Sequence, residues 1–267
     1  MRGADTFTEG LFTLKKLDDF VPANHPLRVI RTMVNKALAE MGELFAGMYE
    51  EDAKGGRPSI APEKLLRAML LQVLYSIRSE RQLMEQTQYN LLFRWFIGLS
   101  MDDSVWVPTV FTKNRERLIE HDAVVAFFNA VLKQADKKRW LSKEHFSVDG
   151  TLIQAWAGHK SFVRKDGAAD KQVQGAKAED PGNPSVNFRG EKRCNATHQS
   201  TTDPEAWLFK KAQGKEAKLA FLGHALMENR SGMLVDFQVT RATGTAERDV
   251  VPGLLQGARQ RGFRPTT

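Results

Sequence analysis

The hydrophobic period of this chain changes once, near residue 140, and that change limits what it can fold into. Before it, apolar residues recur at the spacing of amphipathic helices. Pro26, tolerated at a first helical position, opens a run in which Leu27, Ile30, Val34, Leu38 and Met41 repeat toward Leu44. After the break Lys54-Gly55-Gly56-Arg57-Pro58-Ser59, Pro62 starts a second helix on which Leu66, Met69, Leu70, Val73, Leu74 and Ile77 form a wide apolar face. Ser79 followed by Gln82 is a capping-box signature, so a third helix begins there and runs through Leu83 and Met84 toward Tyr89. Pro108-Thr109 opens a basic, polar helix carrying Lys113, Asn114, Arg115 and Arg117. Asp122 is placed to cap one more, with Val124, Val125, Phe128, Val131 and Leu132 inward and Lys137-Lys138-Arg139 at its end.

Beyond that point the readable segments are β-prone. Phe146-Ser147-Val148-Asp149-Gly150 alternates with period two, and Gly150 predicts a bend directly after the carboxylate. Lys218–Glu228 and Met233–Thr240, separated by Asn229-Arg230-Ser231-Gly232, predict a hairpin of two central strands. Thr245-Ala246 then starts a helix, interrupted early at Pro252-Gly253, that carries Leu254, Leu255 and Ala258 and ends at Gly262. Between Trp156 and Lys218, Gly, Asp, Lys, Asn and Pro crowd out apolar residues; no compact element is predicted there, and Ala168 to Ser185 reads as a mobile excursion. The expectation is an α+β chain: a helical domain over 1–140, then a mixed domain over 141–267 with a polar insertion at about 157–217.

With 267 residues, 42% of them hydrophobic, the chain can bury a sizeable core. No apolar run approaches the roughly 20 residues of a membrane span, and the first ten residues lack a signal peptide's hydrophobic segment, so a cytoplasmic protein without a membrane partner is expected. A lone Cys194 excludes a disulfide framework and a cysteine-rich zinc site, and six scattered histidines show no metal-ligand spacing. The formal charge is +7, and the basic excess begins only after residue 53. That distribution suits a polyanion such as nucleic acid, although an ordinary solvated surface has the same look.

Two features carry candidate chemistry. Asp149, delivered by an apolar run, is placed like a carboxylate that ligates Mg²⁺ in phosphoryl transfer, because Mg²⁺ takes oxygen ligands from a few carboxylates and substrate phosphates. A plain Asp-Gly turn is the simpler alternative. The helix of Lys113, Arg115 and Arg117, following short helices at sharp corners, suggests helix-turn-helix docking with a late basic helix in the major groove. Solvated surface cations are the simpler alternative there.

Phe146–Ala155, Asn195-Ala196-Thr197-His198, Ser200-Thr201-Thr202-Asp203-Pro204-Glu205-Ala206, Lys215–Asn229 and Ala242-Thr243-Gly244-Thr245-Ala246-Glu247-Arg248 together resemble the DDE transposases of bacterial insertion sequences. The nearest group is the one named after insertion sequence five. Upstream, Gly56-Arg57-Pro58, the helix from Pro62 to Arg78 and Ser79-Glu80-Arg81-Gln82-Leu83 resemble that group's N-terminal domain. The resemblance implies a helical DNA-binding domain followed by an RNase-H-like α/β catalytic domain. It implies DNA strand cleavage and transfer at terminal inverted repeats, double-stranded DNA as partner and a homodimer as assembly. It also implies Mg²⁺ or Mn²⁺ held by two aspartates and a glutamate, of which Asp149 matches the first. The second aspartate and the glutamate lie further along the family's chains than Thr267, so only the first part of the catalytic domain is expected here, catalytically incomplete by itself and binding metal weakly. Glu247 and Asp249 open a helix and are not taken as replacements; Asp203, Glu205 and Asp236 match neither missing ligand, and Asp203-Pro204 shapes a turn. The competing reading is a non-catalytic DNA-binding regulator or an inert remnant of a decayed element.

Overall fold

The computed structural model describes residues 15–49, 59–142, 144–166, 193–212 and 214–263. The chain divides into two compact units, Met1–Lys138 and Arg139–Thr267. The break at Lys54–Gly55–Gly56–Arg57–Pro58 and the excursion expected at Ala168 to Ser185 lie outside the described residues.

The first unit is helical: α1 (Pro26–Ala39), α2 (Gly42–Gly47), α3 (Pro62–Leu74), α4 (Glu80–Tyr89), α5 (Leu91–Ile97), α6 (Pro108–Glu120) and α7 (Ala123–Lys137). Their inward faces make one core that includes Leu27, Val34, Leu65, Leu71, Phe96, Phe111 and Leu118. The helix expected from Pro26 toward Leu44 is broken at Glu40-Met41, where α1 gives way to α2. Ser79 caps α4 as its sequence predicts, accepting the Gln82 N–H at 3.2 Å. Asn90 caps α5 by accepting from Leu92 and Phe93 at 3.0 and 3.3 Å, and Gly98 ends that helix in the left-handed region at φ 93°.

Two details depart from the expectation. The apolar face of α3 is narrower than predicted: Leu65, Ala68 and Leu71 are buried, while Val73 is 76% and Leu74 47% exposed. One stripe of a helix can face a core, and Val73 points away from the stripe that Leu65, Ala68 and Leu71 define. On α7 likewise Val124 and Val125 are exposed, and the buried stripe is Ala123, Phe127, Ala130 and Gln134. Asp122 does not cap α7; it turns the chain in the left-handed region, φ 53°, and its side chain takes no cap bond.

The second unit is built on β1 (Phe146–Gln154), β5 (Lys218–Glu228) and β6 (Met233–Arg241), all antiparallel, with β5 between the other two. Short β4 (Trp207–Phe209) pairs with the start of β5. The hairpin expected from Lys218 to Thr240 is therefore present, with Gly232 in its turn at φ 66°, but only β5 is central: among the described residues β6 pairs with β5 alone and is an edge strand, its apolar side chains no guide to its place in the sheet. The two helices α8 (Ala246–Asp249) and α9 (Val251–Gln260) follow. Gly257 of α9 comes so near β6 that a Cβ there would lie 3.1 Å from Asp236 Cγ, and Arg261 seals the junction with an ion pair to Asp236 at 2.9 Å.

Contrary to the expectation from its composition, the polar insertion contains compact elements among its described residues. β2 (Phe162–Arg164) and β3 (His198–Ser200) pair antiparallel. They rest on a small core of Ala155, Phe162, Ala206 and Leu219. Side chains supply what the sparse apolar residues do not: the Asn195 amide donates to the Leu208 carbonyl at 3.0 Å and accepts the Leu208 N–H at 2.8 Å, imitating a strand neighbour.

Candidate functional site

Asp149 sits in the middle of β1, opposite Ala225 of β5, not at a strand end. Phe146, Val148, Gly150 and Leu152 are half-buried on one face, and Ser147, Asp149, Thr151 and Ile153 are exposed on the other. The bend expected at Gly150 does not occur, since pairing with β5 continues through Gln154. Glycine is needed there for a different reason: the Glu247 side chain lies over it, and a Cβ would come within 2.8 Å of Glu247 Cγ. Asp149 and Glu247 are accordingly on opposite faces of the sheet.

Around Asp149 this face carries the hydroxyls of Ser147 and Thr151 and an apolar patch. Ile153 and Phe237 close over Gly223, where a Cβ would meet their methyl and ring carbons at 2.7 and 2.8 Å, and Phe237 and Val239 stay 44% and 53% exposed. Asp149 is the only carboxylate that β1, β5 and β6 place on that side. Among the described residues no group of three or more His, Cys, Asp or Glu side chains is arranged to hold a metal ion. A single carboxylate does not fix a pair of Mg²⁺ ions against competition from water, so the described donor set does not fit a two-metal centre.

The opposite face holds the buried polar groups. His224 is fully buried, with Nε2 2.8 Å from Thr240 Oγ1; burial holds its imidazole below the ordinary value, against an opposing pull from Glu247. Asp236 is buried and accepts the Phe237 N–H at 2.8 Å besides pairing with Arg261. His224 joins β5 to β6 and Asp236 joins β6 to the end of α9; neither contact brings a second carboxylate to Asp149.

In the first unit α6 presents its three basic residues differently. Lys113 is exposed. Arg115 pairs with Glu80 of α4, which also accepts from Thr112, so this guanidinium fastens α6 to α4. The Arg117 guanidinium lies 4.9 Å from the Tyr49 ring centroid and donates to Ser59 Oγ at 3.4 Å. Sequence spacing placed the three on one helix but held no signal for these partners, which are 35, 68 and 58 positions away.

Sequence reasoning also missed what the motif from Asn195 to Ala206 builds. Ser200 Oγ accepts from the N–H groups of Thr202 and Asp203 at 3.2 and 3.0 Å, so Asp203-Pro204 shapes a turn as expected. That turn and Gln199, which donates to the Pro204 carbonyl at 3.1 Å, form one side of a cavity of about 110 Å³ lined also by Lys165, His198, Trp207 and Arg241. Two cations on a polar frame were the available signal, but Lys165 and Arg241 lie 76 positions apart.

Residues 15–117 match the family described as Transposase domain (DUF772), which supports a transposase family for this chain. No curated protein and no solved structure matches it. Among the described residues no helix is long and apolar enough to cross a membrane.

Proposed function

We propose that this chain is a DDE-type transposase polypeptide of a bacterial insertion sequence, of the insertion-sequence-five-like group. The observation that carries the reading is the transposase-domain match over residues 15–117. The antiparallel β1–β5–β6 sheet followed by α8 and α9, with Asp149 on the first strand, is compatible with the opening of an RNase-H-like core. In this reading the helical unit recognises double-stranded DNA at the terminal inverted repeats through α6, with Lys113 toward the duplex, Arg117 beside it on the same side of the helix, and Arg115 holding α6 to α4. A homodimer spans the two ends, and the protein works in the cytoplasm.

Asp149 is the residue assigned to the metal site: it would be one ligand for Mg²⁺ or Mn²⁺, and such an ion, held with further ligands, would polarise the attacking oxygen. Because the described residues gather no group of three metal-ligating side chains around it, no step of strand cleavage is assigned to them alone. That same observation favours a second reading, a non-catalytic DNA-binding regulator.

Incubation with Mg²⁺ or Mn²⁺ and a duplex carrying the element's ends separates the readings. The expected result is binding without cutting by the 267-residue chain, and cutting only when residues that supply further carboxylates are present and Asp149 is intact. Metal-dependent cutting by the 267-residue chain that Asp149→Ala abolishes would contradict the ligand count. Neither binding nor cutting would leave an inert remnant.

A further inference from the structure

We propose that the cavity between β3, the Asp203-Pro204 turn, β4 and the end of β6 is a phosphate-binding pocket that takes a backbone or terminal phosphate of a DNA strand. The inference rests on the DNA-handling function proposed above for the choice of ligand, but its geometry stands apart from α6 and from Asp149.

Three observations support it. First, the pocket is of the right size: about 110 Å³ accommodates one tetrahedral oxyanion with accompanying water and is too small for a nucleobase with its sugar. Second, its walls present cations on a frame of hydrogen bonds. The Lys165 ammonium donates to the Asn195 carbonyl at 2.7 Å, which positions it and leaves two N–H donors for a ligand. The Arg241 guanidinium lies 5.6 Å from the Trp207 ring centroid, and that stacking orients its fork of donors. Third, the frame is rigid. His198 is 3% exposed, stacks on Phe162 at 5.5 Å and contacts Thr197 Oγ1 at 2.8 Å, while the Asn195 amide is held by both backbone groups of Leu208. A pocket built this way costs little to organise when its ligand arrives.

The charge balance agrees. Across the described residues from 155 to 218 there are eight lysines and arginines and four carboxylates. The carboxylate paired with Arg241 is Glu205, 75% exposed and 3.7 Å away, a loose solvent-side counter-ion that an incoming phosphate displaces. The motif thereby acquires a role: Asn195, Ser200 and Pro204 shape the site, and Lys165 and Arg241 bind.

The test is a fluorescence-anisotropy titration of a labelled duplex with the whole chain over a series of salt concentrations. Lys165→Ala with Arg241→Ala is expected to weaken binding by about tenfold and to lower the log–log salt slope by about two, because each cation that pairs with a phosphate adds about one to it. Since the Lys165 change also removes a structural bond, Glu205→Gln provides a test in the opposite direction. It should tighten binding, which a damaged fold cannot do. Inorganic phosphate, followed through intrinsic tryptophan fluorescence with Trp207→Phe as control, distinguishes a free oxyanion from a DNA phosphate. Unchanged affinity and slope in the double variant, or no tightening by Glu205→Gln, overturns the pocket while leaving α6-based DNA binding intact. Absence of duplex binding by the unaltered chain overturns the DNA reading; the pocket then stands only if inorganic phosphate binds and the double variant abolishes it, and falls if it does not.

Discussion

Glu228 illustrates how a single side chain can hold a turn. It is fully buried at the end of β5, a position where a carboxylate is normally expensive. Burial pushes its pKa up, but hydrogen bonds from the Ser142 and Ser231 hydroxyls and from the Arg230 and Ser231 N–H groups, the last two at 2.9 Å, outweigh that and hold it down at about 2. A group whose folded pKa lies below its unfolded value stabilises the fold above the unfolded pKa. That contribution is lost as pH falls from the ordinary 4.5 toward 2. Glu228→Gln is expected to cost about 2 kcal/mol at neutral pH, because an amide cannot accept all four donors. Urea titrations of both proteins from neutral pH down to about pH 3 check this: the difference between them should shrink with acid, and a difference independent of pH would refute the assignment.

At the scale of elements, the α4–α6 contact decides how α6 is to be read. Glu80 accepts from both Thr112 and Arg115, and its side chain is 15% exposed, so the pair is partly shielded from solvent. Arg115→Ala is expected to lower stability by about 1 kcal/mol, and Glu80→Ala by a similar amount. In a double-mutant cycle the coupling should be favourable, about 0.5–1 kcal/mol. Zero coupling would show that the pair does not help to hold the two helices together. The same scale explains what the sequence made legible. The β5–β6 hairpin was readable because its turn residues and its β-prone runs are neighbours in the chain. The helices of the first unit were readable from their period, although not which part of each apolar stripe is buried, since Val73 and Val124 are excluded by helices far away in sequence. β2, β3 and β4 were not readable. What holds them, Ser161 to Ser200 at 2.8 Å and the Asn195 amide to the Leu208 backbone, comes from polar side chains whose partners lie 39 and 13 positions away, which leave no local periodicity. The placement of Asp149 was half legible: its alternation was correct, but Asp-Gly signalled a turn where the approach of Glu247, 97 positions on from Gly150, was the actual constraint on that glycine.

At the scale of the whole molecule, the central claim is that two compact units, one matching a transposase domain and one carrying Asp149 on an antiparallel sheet, belong to a protein that handles DNA. The DNA proposal draws on the basic excess beyond residue 53, an exposed Lys113 on α6 and the Lys165–Arg241 pocket, and phosphate contacts leave a signature in salt dependence that folding defects do not. The most direct measurement is therefore the affinity of the 267-residue chain for duplex DNA as a function of salt, with and without Lys113→Ala, a surface change chosen because Lys113, unlike Arg115, does not join α6 to another helix. The claim predicts binding that weakens steeply as salt rises, and a log–log slope reduced by about one unit in the variant with no change in thermal stability. Absence of binding at low salt, or an affinity and slope that Lys113→Ala leaves untouched, would contradict it.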